Sequence, residues 1–207
     1  MSSKPLVMVV DDDAGVRNAM RSLLKSVGLE SMLFGSAQEF LDGYKASQPG
    51  CLLLDIRMPG MSGLELQQQL NLRGAVIPVI FMTGHGDIPM AVEAMQHGAF
   101  DFLQKPFRDQ DLLDRIQKAI AKDGELRTSL SQHTRIREKL DGLTPREREV
   151  LDLLVKGKQN KAVAQDLGVS PRTVEIHRAR VMEKMGAQSV AELVRMMIDL
   201  KQPVAGR

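Results

Sequence analysis

The chain has 207 residues, of which 43% are hydrophobic and 26% charged, ordinary values for a soluble protein with room for one large or two small domains. No apolar run approaches the ~18–20 residues needed to cross a bilayer, the first residues lack the layout of a signal peptide, and a single cysteine, Cys51, excludes an intramolecular disulfide framework. The net charge of +2 divides unevenly: residues 1–122 carry 12 basic and 14 acidic side chains, residues 138–207 carry 13 and 10. The expectation is a cytoplasmic protein, without membrane contact, whose acidic first half precedes a basic second half suited to a polyanion. Aromatics are only 3%, with no Trp, which argues against a base-stacking platform for single-stranded nucleic acid.

In chain order, Leu6–Val10 is an unbroken apolar run that ends in three aspartates, the mark of a strand buried on both faces. Val16, Met20, Leu23, Leu24 and Val27 then recur at helical spacing, with Gly28 at the position of a helix-ending glycine. Residues 31–34 read as a second strand, and Ser36 with Glu39 as a capping box opening the next helix. Residues 51–54 form a third strand ending at Asp55, and Ser62 with Glu65 caps the helix after it. Residues 78–82 are a fourth strand, 88–97 a helix closed by Gly98, 100–103 a fifth strand, and a fifth helix starts near Asp109. Five strand–helix units predict a doubly wound α/β domain, a five-stranded parallel sheet with helices on both faces.

Ligands of such sheets bind beyond the carboxyl ends of the strands. Asp11, Asp12, Asp55, Thr83 and Lys105 all fall there. Three converging carboxylates need a cation among them, and hard oxygen donors suit Mg²⁺. A lysine and a hydroxyl nearby add donors for phosphoryl oxygens, so the set reads as a phosphoryl-transfer site. An aspartate can be the nucleophile, forming an acyl phosphate.

Val9-Val10-Asp11-Asp12-Asp13, Asp55-Ile56-Arg57-Met58-Pro59-Gly60, Met82-Thr83-Gly84-His85-Gly86 and Lys105-Pro106-Phe107 together resemble the receiver domain of two-component response regulators (CheY-like, flavodoxin-like) over residues 5 to about 121. The resemblance implies that Asp55 accepts the phosphoryl group. It implies that Asp11, Asp12, Asp55 and the backbone carbonyl of Arg57 hold Mg²⁺. Thr83 and Lys105 would read the phosphoryl group, with Phe102 at the switch aromatic position and a cis Lys105–Pro106 bond. Phe102 has no hydroxyl, so its switching would rest on packing. His85, two residues after Thr83, lies where family members tune dephosphorylation.

Residues 123–140 are mostly polar and helix-compatible, a linker with Gly124 as a candidate break. Beyond them the pattern is all-helical. Thr144-Pro145-Arg146-Glu147 combines an N-cap, a proline at the first helical position and a capping-box glutamate. Asn160–Leu167, a Gly168-containing turn and Pro171–Met185 form a helix-turn-helix, with a last helix over 189–200. In Pro171–Met185, spacing turns Val174, His177, Val181 and Met185 inward. Arg172, Glu175, Ile176, Ala179 and Glu183 turn outward, flanked by Arg178, Arg180 and Lys184. Leu143-Thr144-Pro145-Arg146-Glu147 through Lys184 resembles the LuxR/FixJ/NarL-type DNA-binding domain, and the whole chain resembles FixJ-type regulators.

The resemblance implies domains at 1–122 and 141–207 and a sensor histidine kinase and double-stranded promoter DNA as partners. It implies a homodimer after phosphorylation and leaves RNA polymerase open as a further partner. Contacts to DNA are expected from Lys158, Asn160, Lys161, Arg172, Thr173, Glu175, Ile176, Arg178, Ala179 and Arg180. Two alternatives carry less of the sequence. Asp11-x-Asp13 resembles haloacid-dehalogenase-type phosphatases, but Gly15 stands where that motif carries Thr or Val. A receiver-type protein-binding module leaves the helix-turn-helix unexplained.

Overall fold

The computed structural model of the chain describes residues 4–84 and 88–201. His85, to which a tuning role was attached, lies outside them. The chain divides into two compact units, with the division between Arg127 and Thr128.

In the first unit, β1 (Leu6–Val10), β2 (Glu30–Phe34), β3 (Gly50–Asp55), β4 (Val79–Thr83) and β5 (Asp101–Gln104) form one parallel sheet in the order β2-β1-β3-β4-β5. Helices α1 (Ala14–Ser26), α2 (Ala37–Gly43), α3 (Gly63–Leu72), α4 (Ile88–Gln96) and α5 (Asp109–Asp141) connect and follow the strands. The apolar runs are explained by two cores, because successive strand residues face opposite sides of the sheet. Met8, Val10, Leu52, Leu54 and Phe81 pack with Phe40, Leu66 and Leu70. Val7, Val9, Cys51, Leu53 and Ile80 pack with Met20, Leu24, Leu112 and Ile116. Burial in the second core pushes the Cys51 thiol up to about 12, so it is inert in the folded protein.

Strand order reverses between β1 and β3, the switch point where such sheets bind ligands. Register pairs Val10 with Leu54, so the next residues, Asp11 and Asp55, leave the sheet side by side. The Ser36 capping box does not close: Ser36 Oγ accepts from the Glu39 N–H, but the Glu39 carboxylate takes the Gly35 N–H instead. The boxes at Ser62–Glu65 and Thr144–Glu147 close on both sides.

The second unit contains α6 (Pro145–Val155), α7 (Asn160–Leu167), α8 (Pro171–Met185) and α9 (Val190–Lys201). The stretch expected as a linker is helical throughout, and Gly124 does not break it. A mid-helix glycine costs only about 1 kcal/mol against alanine. Here that cost is offset after the division by Ile136 and Leu140, which join Leu151, Val181, Met185 and Leu193 in a core. Val150, Leu154, Val163, Ala164 and Val174 form a second one. Gly168 (φ 64°) and Gly186 (φ 63°) end α7 and α8 in the left-handed region, where glycine carries no Cβ penalty. No described helix is long and apolar enough to cross a membrane.

Candidate functional site

Lys105 organises the carboxyl edge of the sheet. Its Nζ donates to Asp11 Oδ2 at 2.8 Å and to Asp55 Oδ1 at 2.6 Å. Its backbone N–H donates to the Thr83 carbonyl at 2.7 Å, tying the end of β5 to the end of β4. The Lys105–Pro106 bond is cis. Asp11 Oδ1 accepts from the Asp13 N–H, and Asp55 Oδ2 from the Arg57 N–H at 2.8 Å. Thr83 is buried, while Phe102 is 38% exposed.

Burial is the largest influence on Asp55 and raises its carboxyl above the usual range, with the Asp11 charge adding and Lys105 and the Arg57 N–H opposing. Burial alone would lower Lys105, but the Asp11 and Asp55 carboxylates outweigh it and raise the ammonium. Asp12 does not join the other two carboxylates, contrary to the expected three-way convergence. It is exposed, and Lys105 already balances Asp11 and Asp55. Among the described residues no three His, Cys, Asp or Glu side chains are gathered closely enough to hold a metal.

In the second unit α7 and α8 meet across the Gly168 turn. Val174, Val181 and Met185 are buried and His177 half-buried, while Arg172, Glu175, Ile176, Ala179, Arg180 and Glu183 are exposed. Lys161 is exposed at the start of α7.

The receiver domain of response regulators matches residues 7–117, and the LuxR family of bacterial regulatory proteins matches residues 141–197. The chain is 48% identical to the transcriptional regulatory protein FixJ of Azorhizobium caulinodans, over 93% of this chain and 91% of that protein. It is 47% identical to nodulation protein W of Bradyrhizobium diazoefficiens, over 94% and 86%. This chain belongs to the FixJ-type two-component response regulators. The solved structure of response regulator StyR matches it with a TM-score of 0.84 at 45% identity, over 95% of this chain and 99% of that one. The regulator is therefore a phosphorylation-dependent transcription regulator with a LuxR-type helix-turn-helix.

Several basic side chains of this regulator have internal partners that spacing could not show. Lys184, expected beside the DNA-facing surface, reaches Glu147 Oε2 at 2.7 Å and the Gly142 carbonyl at 3.2 Å. It braces the α6 capping box instead. Arg178 donates to Asn160 Oδ1 at 3.0 Å, joining α8 to α7, and Lys158 pairs with Asp166. Thr173 shares a hydroxyl hydrogen bond with the N-cap Ser170.

Two receiver residues with roles, Arg17 and Gly63, went unread in the sequence. Arg17 Nη1 donates to the Asp11 carbonyl at 2.6 Å, holding the end of β1. Asp13 caps α1 through the N–H groups of Gly15 and Val16. Gly63 lies so close beneath Asp55 that a Cβ there would sit 2.2 Å from the Asp55 carbonyl oxygen. The Ser62–Glu65 box placed Gly63 at the first helical position, but nothing in the sequence announced the close approach.

The Glu147–Lys184 pair predicts an acid response. Lys184 first, and then the Thr144 N–H, lowers the Glu147 carboxyl from an ordinary 4.5 to about 2. A carboxyl lowered in the folded state adds stability above its unfolded value and loses it as pH falls toward the folded one. Thermal unfolding of the second unit, followed by circular dichroism, should therefore lose midpoint between pH 4.5 and 2. Glu147→Gln should flatten that part of the profile and lower the midpoint at pH 7. Parallel profiles for the two proteins would contradict the assignment.

Proposed function

We propose that the regulator accepts a phosphoryl group on Asp55 from a sensor histidine kinase and that this controls promoter binding through α8. The observation that carries this reading is the single ammonium, Lys105 Nζ, shared by Asp11 and Asp55 at the switch point. In the transfer an Asp55 carboxylate oxygen attacks phosphorus. The new P–O bond makes an acyl phosphate, and the P–N bond to the donor imidazole breaks, its electron pair leaving with nitrogen. Lys105 then exchanges a carboxylate partner for a phosphoryl oxygen, and the Thr83 hydroxyl donates to another. Each exchange reports the new charge to β4 and β5. Phe102, half-exposed on the neighbouring strand opposite Phe81, two residues before Thr83, follows by repacking.

The donor set fits a hard divalent cation, since carboxylate oxygens of Asp11 and Asp55 already converge on one positive centre. Asp11, Asp55 and the Arg57 carbonyl would hold Mg²⁺, with the exposed Asp12 turning in from solvent to join them, and the ion when bound would neutralise charge on the transferring phosphoryl group. Chemistry at Asp55 is confined to the regulator's own phosphorylation and dephosphorylation, without substrate turnover, and it takes place in the cytoplasm, where promoter DNA lies. We assign the receiver to residues 1–122, the DNA-binding domain to 141–207 and the connection to 123–140. A homodimer of the phosphorylated form would use α4, β5 and the start of α5, where Val92, Met95 and Phe102 are exposed apolar groups. A two-fold pair suits a pseudo-palindromic operator.

On DNA the exposed residues of α8 divide by chemistry. Ile176 and Ala179 suit thymine methyls, and Glu175 a cytosine amino group. Lys161, Arg172 and Arg180 are free to meet phosphates. Arg178 and Lys158 reach them only by extending from Asn160 and Asp166, while Thr173 and Asn160 reinforce the turn. Binding selection on randomised duplexes tests this division. Glu175→Ala and Ile176→Ala should change base preference. Lys161→Ala should weaken all sequences alike and reduce the magnitude of the salt slope by about 1. A Lys161→Ala protein with altered base preference, beside recognition-helix variants without it, would put the wrong element in the groove.

A further inference from the structure

Away from the phosphoacceptor, a buried carboxylate with a guanidinium partner lies at the far end of the first unit, where α5 leaves it. Asp123 is 1% exposed. Its Oδ2 accepts from the Gly50 N–H at 2.8 Å and from Arg127 Nε at 2.7 Å. Arg127 continues the clamp: Nη1 donates to the Ala46 carbonyl at 2.9 Å and Nη2 to the Gln48 carbonyl at 2.6 Å. One guanidinium thus ties one turn of α5 to the loop between α2 and β3. The other carboxylate oxygen, Asp123 Oδ1, is buried without a hydrogen bond among the described residues.

This is a poor way to gain stability. A buried ion pair loses much of its Coulomb attraction to desolvation, and an unpaired buried oxygen adds a further penalty. What the arrangement provides is geometry. Each residue of a helix advances about 100° around its axis, so clamping Asp123 and Arg127 to fixed backbone atoms sets the helical phase with which α5 departs. The receiving side is closely packed. Gly50 has φ +145°, and a Cβ there would lie 1.8 Å from the Leu6 carbonyl oxygen, so β3 runs against β1 at this point with no room for a side chain. Gly50 also begins the strand that ends in Asp55.

We propose that Asp123 and Arg127 are positioning residues for signal output, holding α5 to the base of β3 so that changes at the phosphoacceptor end reach the DNA-binding unit through a helix of fixed phase. The inference rests on the proposed phosphorylation of Asp55. It places the output joint within the clamped turn 123–127, on residues that touch neither the phosphoryl group nor DNA.

The test uses the full-length chain. Arg127→Ala leaves Asp123 buried and unpaired, which can unfold the receiver, so the informative protein is the charge-neutral double variant Asp123→Asn/Arg127→Gln, free of uncompensated charge. Glu125→Gln, exposed on the same turn, is the control. Acetyl phosphate with Mg²⁺ should phosphorylate all three proteins equally, read by intact mass. Amides over 121–131 should exchange with deuterium about tenfold faster or more in the double variant alone. Affinity is measured on the duplex recovered in the operator selection. The gain on phosphorylation should shrink by about fivefold or more in the double variant, with unphosphorylated affinity unchanged. A double variant with wild-type exchange, or with the full phosphorylation gain, overturns the positioning role while leaving Asp55 assigned. A wild type that is phosphorylated without any change in DNA affinity overturns the proposed function and this inference together.

Discussion

Incubated with acetyl phosphate and Mg²⁺, the wild-type regulator should gain the mass of one phosphoryl group, and Asp55→Asn should gain none. The amide oxygen of Asn is not a nucleophile toward phosphorus, so the loss is complete rather than partial. The substitution is close to isosteric, and its structural cost is confined to the ion pair. Lys105 keeps Asp11 at 2.8 Å and exchanges the Asp55 carboxylate for a neutral acceptor. Burial already disfavours the Asp55 charge, so removing that charge does not leave a fold starved of it. Thermal unfolding of the variant should stay near wild type, which separates lost chemistry from lost structure. An Asn variant that still gains one labile phosphoryl group would place the phosphoacceptor elsewhere.

Gly63→Ala should do comparable damage by a different route. Its added methyl would lie 2.2 Å from the Asp55 carbonyl oxygen and 3.1 Å from the Asp55 carbonyl carbon and Ile56 Cα. All three are backbone atoms, so no side chain can swing aside. Either α3 is pushed off the sheet or the peptide after Asp55 moves. Overpacking of this kind costs about 1–3 kcal/mol. The Gly63 N–H bond to the Ile56 carbonyl at 2.9 Å would strain with it. The same displacement shifts Asp55 relative to Lys105, so phosphoryl uptake should slow by an order of magnitude or more while the Asp55 carboxylate remains present. Denaturant unfolding and the rate of mass gain check the two halves. A Gly63→Ala protein with wild-type stability and uptake would show that the close approach relaxes freely.

These two residues differ in how visible they were beforehand. Asp55 was legible because it ends an apolar run, and because Asp11, Thr83 and Lys105 end three others. In a doubly wound sheet strand ends share one edge, so sequence position translates into proximity. Gly63 was not legible, because a close approach depends on where α3 lands across the strand end. The register of β1 against β3 follows from pattern, whereas the partner of a long side chain does not. Lys184 and Arg178 had the spacing of DNA-facing residues, and both turned to neighbours, Glu147 and Asn160, that are far away in sequence. Asp12 shows the reverse. Asp11, Asp12 and Asp55 at neighbouring strand ends suggested a shared cation, but Lys105 satisfies Asp11 and Asp55 and leaves Asp12 in solvent. The clamp at Asp123 and Arg127 was hidden for a third reason. In a polar stretch containing Gly124, an acid and a base four residues apart look like an ordinary surface pair. Only the fold reveals that Asp123 is buried and that Arg127 spans two loop carbonyls.

The central claim is that charge on Asp55 sets affinity for DNA. It is tested most directly by measuring binding of one selected duplex to the wild type and to Asp55→Asn, each before and after acetyl phosphate, at one fixed salt concentration. The wild type should bind at least about fivefold more tightly once phosphorylated, and the Asn variant should show the same weak affinity under both conditions. A wild type whose affinity is unmoved by a phosphoryl group seen in its mass, or an Asn variant that tightens equally, would contradict the account.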